Sequence, residues 1–416
     1  MNKESYTNKA ICVTGAGIIS ALGIGKQLTI EALKNKTSGV APLHYLTTTH
    51  TGFPVGEVKY SNSEMKQMLN FLPDDAVIRS ALLGIIAIKE ALCQAKLEDR
   101  GPALRIAFIS GITVGGMDQA ELNYQDYLEN DSKNAYIELN DCGGATEQIA
   151  DYFGDFQMVS TIVTACSSSA NAIMLGADLI TENRADIVIA GGCECLSRYH
   201  LNGFNTLMIL DKDICKPFDR DRAGINLGEG AGYIVLESLE TAQKRGVQAI
   251  GKISGYCNAC DAYHQTASSP NGLGAFLAMK GAIEQAGLKP EDIDYINAHG
   301  TGTPNNDLTE GIAVMKLFGN AVPPLSSIKS YLGHTTSAAG SIEAIISLLC
   351  MQHNFLPVSL NFSNPIEEHS FAPVTDPHPT RPIRHILSNS FGFGGNNSAI
   401  VISEAMNNDQ LIINNE

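Results

Sequence analysis

The run Val159-Ser-Thr-Ile-Val-Thr-Ala-Cys166-Ser-Ser-Ser-Ala170 decides how this chain is read. A β-branched strand ends in small residues and passes directly into Ser169–Glu182, whose composition and spacing are helical. Cys166 stands where the helix begins. Unpaired backbone N–H groups and the helix dipole at such a terminus favour a thiolate, and small neighbours leave room for a substrate beside the sulfur. A buried structural thiol is the other reading. It leaves the three serines unexplained, because they make a poor core but a good helix N-terminus.

The same strand-to-helix change recurs along the chain. Ile11–Thr14, Ile106–Ile109, Val159–Val163, Ile187–Ala190, Tyr233–Leu236, Ile250–Ser254, Ile293–Asn297 and Ala399–Ile402 read as strands. Ala76–Gln94, Gly274–Gln285, Thr309–Leu317 and Ala338–His353 read as further helices; in the last, Ile342, Ile345, Ile346 and Leu349 fall on one face. Such alternation predicts an α/β protein with a layered sheet. Leu325–Lys329, followed by Ser, Gly and Ala residues and a helix, echoes the Cys166 segment. Two facing halves would gather both turns into one site. The seam is expected near residue 250, giving halves 1–250 and 251–406 and a loose polar tail, 407–416.

Composition narrows the class. The 416 residues are 44% hydrophobic and 17% charged, with 39 glycines, which fits a packed globular chain and not a disordered one. A net charge of −16 argues against nucleic-acid binding, which needs a basic face. No apolar run is long enough to span a membrane, and the polar start lacks a signal-peptide pattern, so a cytoplasmic location is expected. The ten cysteines are then read as reduced and mostly buried. Cys193/Cys195 and Cys257/Cys260 lack a second pair at zinc spacing and are expected to be core thiols. Gly15-Ala-Gly17-Ile-Ile-Ser20 imitates a dinucleotide fingerprint, but the third glycine and the later acid are missing, which leaves a tight strand–helix turn.

Three further segments bear chemistry. Asn297-Ala-His299-Gly-Thr301-Gly-Thr303-Pro304 puts a histidine in a Gly/Thr loop after a strand, with Asp307 and Glu310 just beyond. Ser326-Ser-Ile-Lys329-Ser-Tyr-Leu-Gly333-His334 puts a lysine among apolar residues, where it needs an acidic partner such as Glu343 or Glu310. Asn389-Ser390-Phe391-Gly392-Phe393-Gly394-Gly395-Asn396-Asn397 reads as a glycine-rich turn that can aim N–H groups at an oxyanion or let two chains approach.

In this order these segments resemble the β-ketoacyl-acyl carrier protein synthases of the condensing-enzyme, thiolase-fold family. So do Val13–Ser20 and Lys216-Pro-Phe218-Asp219-Arg220 through Gly228-Glu229-Gly230. The likeness runs from about residue 10 to 403. It implies a thiolase-like fold of two duplicated halves in five αβαβα layers. The Cys–His–His set is similar to the elongating synthases. By that likeness, Cys166 takes the acyl chain from a carrier-protein thioester, and His299 and His334 polarise the malonyl thioester and assist its decarboxylation. Lys329 tunes the histidines and pairs with Glu343; Asp307 and Glu310 support the loop after His299. The N–H groups of Cys166 and Phe393 form an oxyanion hole, and Phe393 gates malonyl entry. Val114 and Phe204 wall the acyl pocket. No metal or redox cofactor is implied, because the substrates arrive on phosphopantetheine.

The implied partners are an acyl carrier protein and a second subunit, either an identical copy or a chain-length-factor-like relative. The chain departs from the family pattern before the helix near Ala76. Asp74 and Asp75 stand where the fatty-acid synthases carry a basic run, which suggests a dedicated carrier in a polyketide or polyene pathway beside the fatty-acid reading. Lys66, Arg79, Lys212 and Lys216 are the substitute bases. A non-catalytic chain-length factor lacks the cysteine present here. A thiolase carries a second, C-terminal cysteine, whereas no Cys follows Cys350.

Overall fold

The computed structural model of the chain describes residues 10–98, 104–130 and 135–405. The expected tail, 407–416, lies outside these residues. Among the described residues, eleven strands form one mixed sheet. The first six are β1 (Ile11–Ser20), β2 (Gly23–Ile24), β3 (Ile106–Gly111), β4 (Met158–Ile162), β5 (Ile187–Glu194) and β6 (Gly230–Ser238). The others are β7 (Gly251–Cys260), β8 (Tyr295–Asn297), β9 (Leu325–Ser326), β10 (His385–Gly392) and β11 (Asn396–Ser403).

The strand order is β4-β3-β5-β6-β1-β7-β11-β10-β8-β9, with β2 paired to β1 alone. Read outward from the centre, the two sides are the same. In one, β3 lies parallel between β4 and β5, and β6 and β1 follow antiparallel. In the other, β8 lies parallel between β9 and β10, and β11 and β7 follow antiparallel. Antiparallel pairing of β1 with β7 at Ile11–Val13 joins them.

The helices repeat too. Ser168–Thr181 connects β4 to β5, and Ala339–His353 connects β9 to β10. These two share a central core with Ile11, Val13, Ile234 and Ile400. Arg79–Gln94 packs on the outer face of the first side, and Leu273–Gln285 with Pro304–Phe318 on the outer face of the second. Five layers result, α/β throughout. The central position explains why Ala339–His353 is buried on every side from Ala339 to Cys350, and not only on the face its isoleucines suggest.

Two expectations change locally. Gly15 and Gly17 lie inside β1 rather than in a turn. A Cβ would fall 2.1 Å from the Ala91 carbonyl oxygen at Gly15 and 2.0 Å from that of Ala87 at Gly17. The glycines let Arg79–Gln94 press onto the strand. At that distance its side chains replace a neighbouring strand: Gln94 accepts the Ala16 N–H and Glu90 the Ile18 N–H, each at 3.0 Å. The second change concerns Asn389–Asn397. Asn389 to Gly392 is the end of β10, and the reversal is confined to Phe393–Gly395. Of the paired cysteines, Cys193 in β5 and Cys195 just after it are buried, while Cys257 is half-buried and Cys260 exposed, because β7 runs out of the core toward its end.

Candidate active site

Cys166 occupies a single 3₁₀ turn, Ala165–Ser167, ahead of the Ser168–Thr181 helix. Ala165 adopts a left-handed φ of 52°, a strained conformation for a residue with a Cβ, and one that bends strand into helix within a residue. The serines hold this elbow. Ser167 and Ser168 donate their hydroxyls to the carbonyls of Thr164 and Ala165, both at 2.7 Å. The end of β10 crosses close by: a Cβ at Gly392 would meet the Thr164 carbonyl oxygen at 2.9 Å and the Cys166 nitrogen at 3.2 Å. That approach brings the Phe393 N–H to the Cys166 sulfur, beside the N–H of Cys166 itself.

Both histidines meet this sulfur from the other half. His334 Nε2 lies 3.0 Å from Cys166 Sγ. The His299 ring sits edge-on to the His334 ring, with centroids 5.3 Å apart. Backbone bonds fix the segment carrying His334: its N–H donates to the Asn226 carbonyl, and its carbonyl accepts the Gly228 N–H. This gives a role to the Lys216–Gly232 segment, which sequence reading left without one. Arg222 of the same segment donates to the Thr303 and Pro304 carbonyls at 3.2 and 2.8 Å.

The supporting acids lie around His299. Glu310 accepts the N–H groups of His299 and Gly300 at 2.9 and 2.8 Å, and the Asn389 amide at 3.0 Å. Asp307 accepts the N–H groups of Gly302 and Phe218. Lys329 is 1% exposed, pairs with Glu343 at 2.6 Å, and donates to the His299 carbonyl.

Burial dominates the electrostatics. Desolvation pushes the Cys166 thiol up to about 11, against the pull of Lys329 and of the two N–H groups. The sequence argued for a lowered value at a helix terminus. The enclosed site reverses the sign, since removing water penalises the charged form more than the turn stabilises it. Burial, then Lys329, holds both imidazoles well below the usual histidine range. Thiol and imidazoles are therefore neutral at pH 7.

A cavity of about 370 Å³ opens onto Cys166, His299 and His334. Phe204 and Phe393 line it and stack on each other, with centroids 5.7 Å apart. Thr301, Thr303 and Phe391 complete the wall near the histidines; the threonines were visible in the Gly/Thr loop but were given no part. Val114 is buried and lies outside this cavity's lining, because its loop is drawn onto the carboxylate of Glu194. Among the described residues, no group of three His, Cys, Asp or Glu side chains is arranged to hold a metal ion.

A nucleophilic thiol at a strand–helix elbow, two neutral imidazoles and converging N–H groups define an acyl-transfer site. Residues 8–242 match the family description "Beta-ketoacyl synthase, N-terminal domain", and residues 250–363 match its C-terminal domain. The chain belongs to the β-ketoacyl synthase family. It is 32% identical over 410 residues to the 3-oxoacyl-[acyl-carrier-protein] synthase 2 of Staphylococcus aureus (strain COL), spanning 95% of this chain and 99% of that one. Against the synthase 2 of Coxiella burnetii it is 33% identical over 414 residues, spanning 95% and 98%. Among solved structures, the ishigamide ketosynthase/chain length factor superposes with a TM-score of 0.90 at 30% identity, covering 96% of this chain and all of that one. The ketosynthase ApeO with its chain length factor ApeC from Xenorhabdus doucetiae gives 0.82 at 29%, covering 97% and 100%.

Proposed function

We propose that this chain condenses a Cys166-bound acyl group with a malonyl thioester, both delivered on the phosphopantetheine of an acyl carrier protein. The 3.0 Å approach of His334 to the sulfur, with His299 beside it, carries the reading. In the first half-reaction Cys166 attacks the acyl thioester while His334 Nε2 takes the thiol proton. The departing phosphopantetheine thiolate recovers that proton. The carbonyl oxygen, charged in the tetrahedral intermediate, lies against the N–H groups of Cys166 and Phe393. In the second, the two imidazoles polarise the malonyl thioester carbonyl as the C–C bond to carbon dioxide breaks. The enolate carbon attacks the acyl carbonyl, and the Cys166 sulfur leaves as a thiolate, which takes up one proton from solvent to restore the neutral thiol. Lys329, Glu343, Asp307 and Glu310 hold the histidines in place. No external cofactor enters either balance.

Phe393, on its three-residue turn and stacked on Phe204, is positioned to admit malonate once the acyl chain is seated. For carrier docking, exposed Lys212 and half-buried Lys216 remain suitable. Lys66 and Arg79 do not: Lys66 donates to the Pro73 carbonyl, and buried Arg79 is clamped on Glu229 at 2.6 Å. The exposed Asp74 supports a carrier with a docking face of its own. A second subunit is supported by the edge strand β4, where Met158 and Val159 are exposed, by exposed Val163 just beyond it, and by exposed Leu122 and Leu128 on the Met117–Asn130 helix. We place the halves at 1–250 and 251–406, with the seam before β7, and the protein in the cytoplasm.

The test is to incubate the protein with carriers bearing acyl chains of graded length and follow the mass added at Cys166. Cys166→Ala should take up no acyl group and make no 3-oxoacyl product. Condensation by that variant at the native rate overturns the assignment. Loss of Cys166 also separates this function from a chain-length-factor role, which needs no thiol.

A further inference from the structure

Glu194 is the last residue of β5 and is fully buried, yet it has no part in the chemistry above. A buried carboxyl without a cation must have its oxygens occupied to be tolerated. Among the described residues no ion pair includes Glu194. Its partners are instead three groups from two separate segments. The Thr113 N–H donates to Oε2 at 2.9 Å and the Val114 N–H to Oε1 at 3.4 Å. The Ser337 hydroxyl lies 2.8 Å from Oε2 and 3.2 Å from the Cys193 carbonyl.

Each contact leads to a reacting group. Thr113 also donates its hydroxyl to the carbonyl of Ala165 at 3.4 Å, the strained residue just before Cys166. Ser337 sits in the 3₁₀ turn Thr336–Ala338, three residues after His334. That turn is a second elbow, with Thr336 at a φ of 44°. One carboxyl group thus ties the nucleophile's elbow, through Thr113, to the histidine's elbow, through Ser337.

We propose that Glu194 is a positioning residue that sets the distance between Cys166 and His334 and fixes the loop Thr113–Gly116. The arrangement tolerates either charge state. Burial pushes the carboxyl up to about 8. A protonated Oε2 donates to Ser337, whose hydroxyl then turns to the Cys193 carbonyl; an ionised one accepts from Ser337 instead. The backbone N–H bonds are kept in both.

The inference rests on Cys166 and His334 being the reacting pair, and the Cys166→Ala control tests that separately. Ser337→Ala cuts the link to the histidine's elbow and removes only a hydroxyl. Glu194→Gln keeps the shape and one acceptor oxygen, and Glu194→Ala removes the tie. Steady-state condensation, acyl loading of Cys166 and thermal unfolding are measured for each. Positional errors of about 1 Å cost up to about 100-fold in rate, so Ser337→Ala is expected to lower kcat about tenfold with KM changed less than about twofold. Glu194→Ala should lower kcat further, and Glu194→Gln should restore most of the loss. Should Glu194→Ala not fold, Ser337→Ala and Glu194→Gln still decide. Native kcat in Ser337→Ala, or a loss of kcat that only follows a loss of folded protein, overturns the proposal.

Discussion

At Cys166 two physical effects oppose each other, and enclosure wins. The helix start, two N–H groups and Lys329 favour a thiolate, yet the thiol is pushed up to about 11. A free thiolate is therefore scarce at neutral pH. Alkylation by iodoacetamide should rise about tenfold per pH unit from pH 7 toward 10, since only the thiolate reacts. A plateau already at pH 7 would show the opposite balance. Acyl loading should escape this slope, because in the mechanism we propose His334 removes the proton as the bond forms. His334→Ala should slow loading near pH 7 much more than near pH 10, where solvent base can substitute. Lys329 and Glu343 make a second residue-scale case. Breaking a buried pair strands one charge, so Lys329→Ala should cost about 3–5 kcal/mol, read as a fall in the denaturation midpoint. Changing both partners to apolar residues, Lys329→Met with Glu343→Leu, should regain much of that stability but not the activity.

Among the elements, Arg79–Gln94 presses closely on β1. Gly17→Ala puts a methyl group where the Ala87 carbonyl already lies. Overpacking of this kind costs about 1–3 kcal/mol or more; urea unfolding should show a loss at the upper end, since the obstacle is backbone rather than a movable side chain. At the cavity wall, Phe204→Ala should shift loading toward longer or bulkier acyl chains, seen by mass spectrometry of the loaded protein. The energies are modest, about 1–3 kcal/mol per methylene, so preference moves without a hard limit. Val114→Gly and Val114→Phe should move chain length less than Phe204→Ala does, because Val114 lies outside the cavity lining. Equal effects would mean that its loop rearranges around the acyl chain.

These contacts also mark what could be read in the sequence. The strand–turn–helix at Cys166 and the loops of His299 and His334 were legible because each concentrates small residues beside one reactive side chain. So was the need of Lys329 for an acidic partner, since a lysine among apolar neighbours demands one; the residues left Glu343 and Glu310 open, and only the family resemblance pointed to Glu343. The pairing of Phe204 with Phe393 was not legible as a stack. Nor was the tie from Glu194 to Ser337: the partners are 143 residues apart and meet only when the halves pack. Gly15 and Gly17 misled in detail because a glycine required by a neighbouring helix looks the same in sequence as one required by a turn. The fate of Arg79 likewise depended on Glu229, 150 residues away.

At the scale of the whole molecule, β4 ends the sheet as an edge strand. An edge strand with exposed Met158 and Val159, and exposed Val163 just beyond it, invites pairing. Val159→Asp with Val163→Asp should convert an assembled species into single chains, measured by light scattering on a sizing column. If the native chain is monomeric alone and assembles only when mixed with a chain-length-factor-like protein, the partner is the heterologous one. No change in assembly state in the double variant would place the subunit contact elsewhere.

The duplication also has a temporal side. The thiol and His334 are 168 residues apart in the chain, and the Phe393 N–H comes later still. A ribosome releases the cysteine long before either arrives. During that interval the thiol lacks His334 and the Phe393 N–H, the groups on which acyl capture rests in the mechanism we propose. Because β11 is the last of the described strands and pairs with both β7 and β10, the proposed site and the described sheet are completed together. Acyl uptake at Cys166 could therefore serve as a clock for synthesis, reporting the moment at which the final strand is laid down.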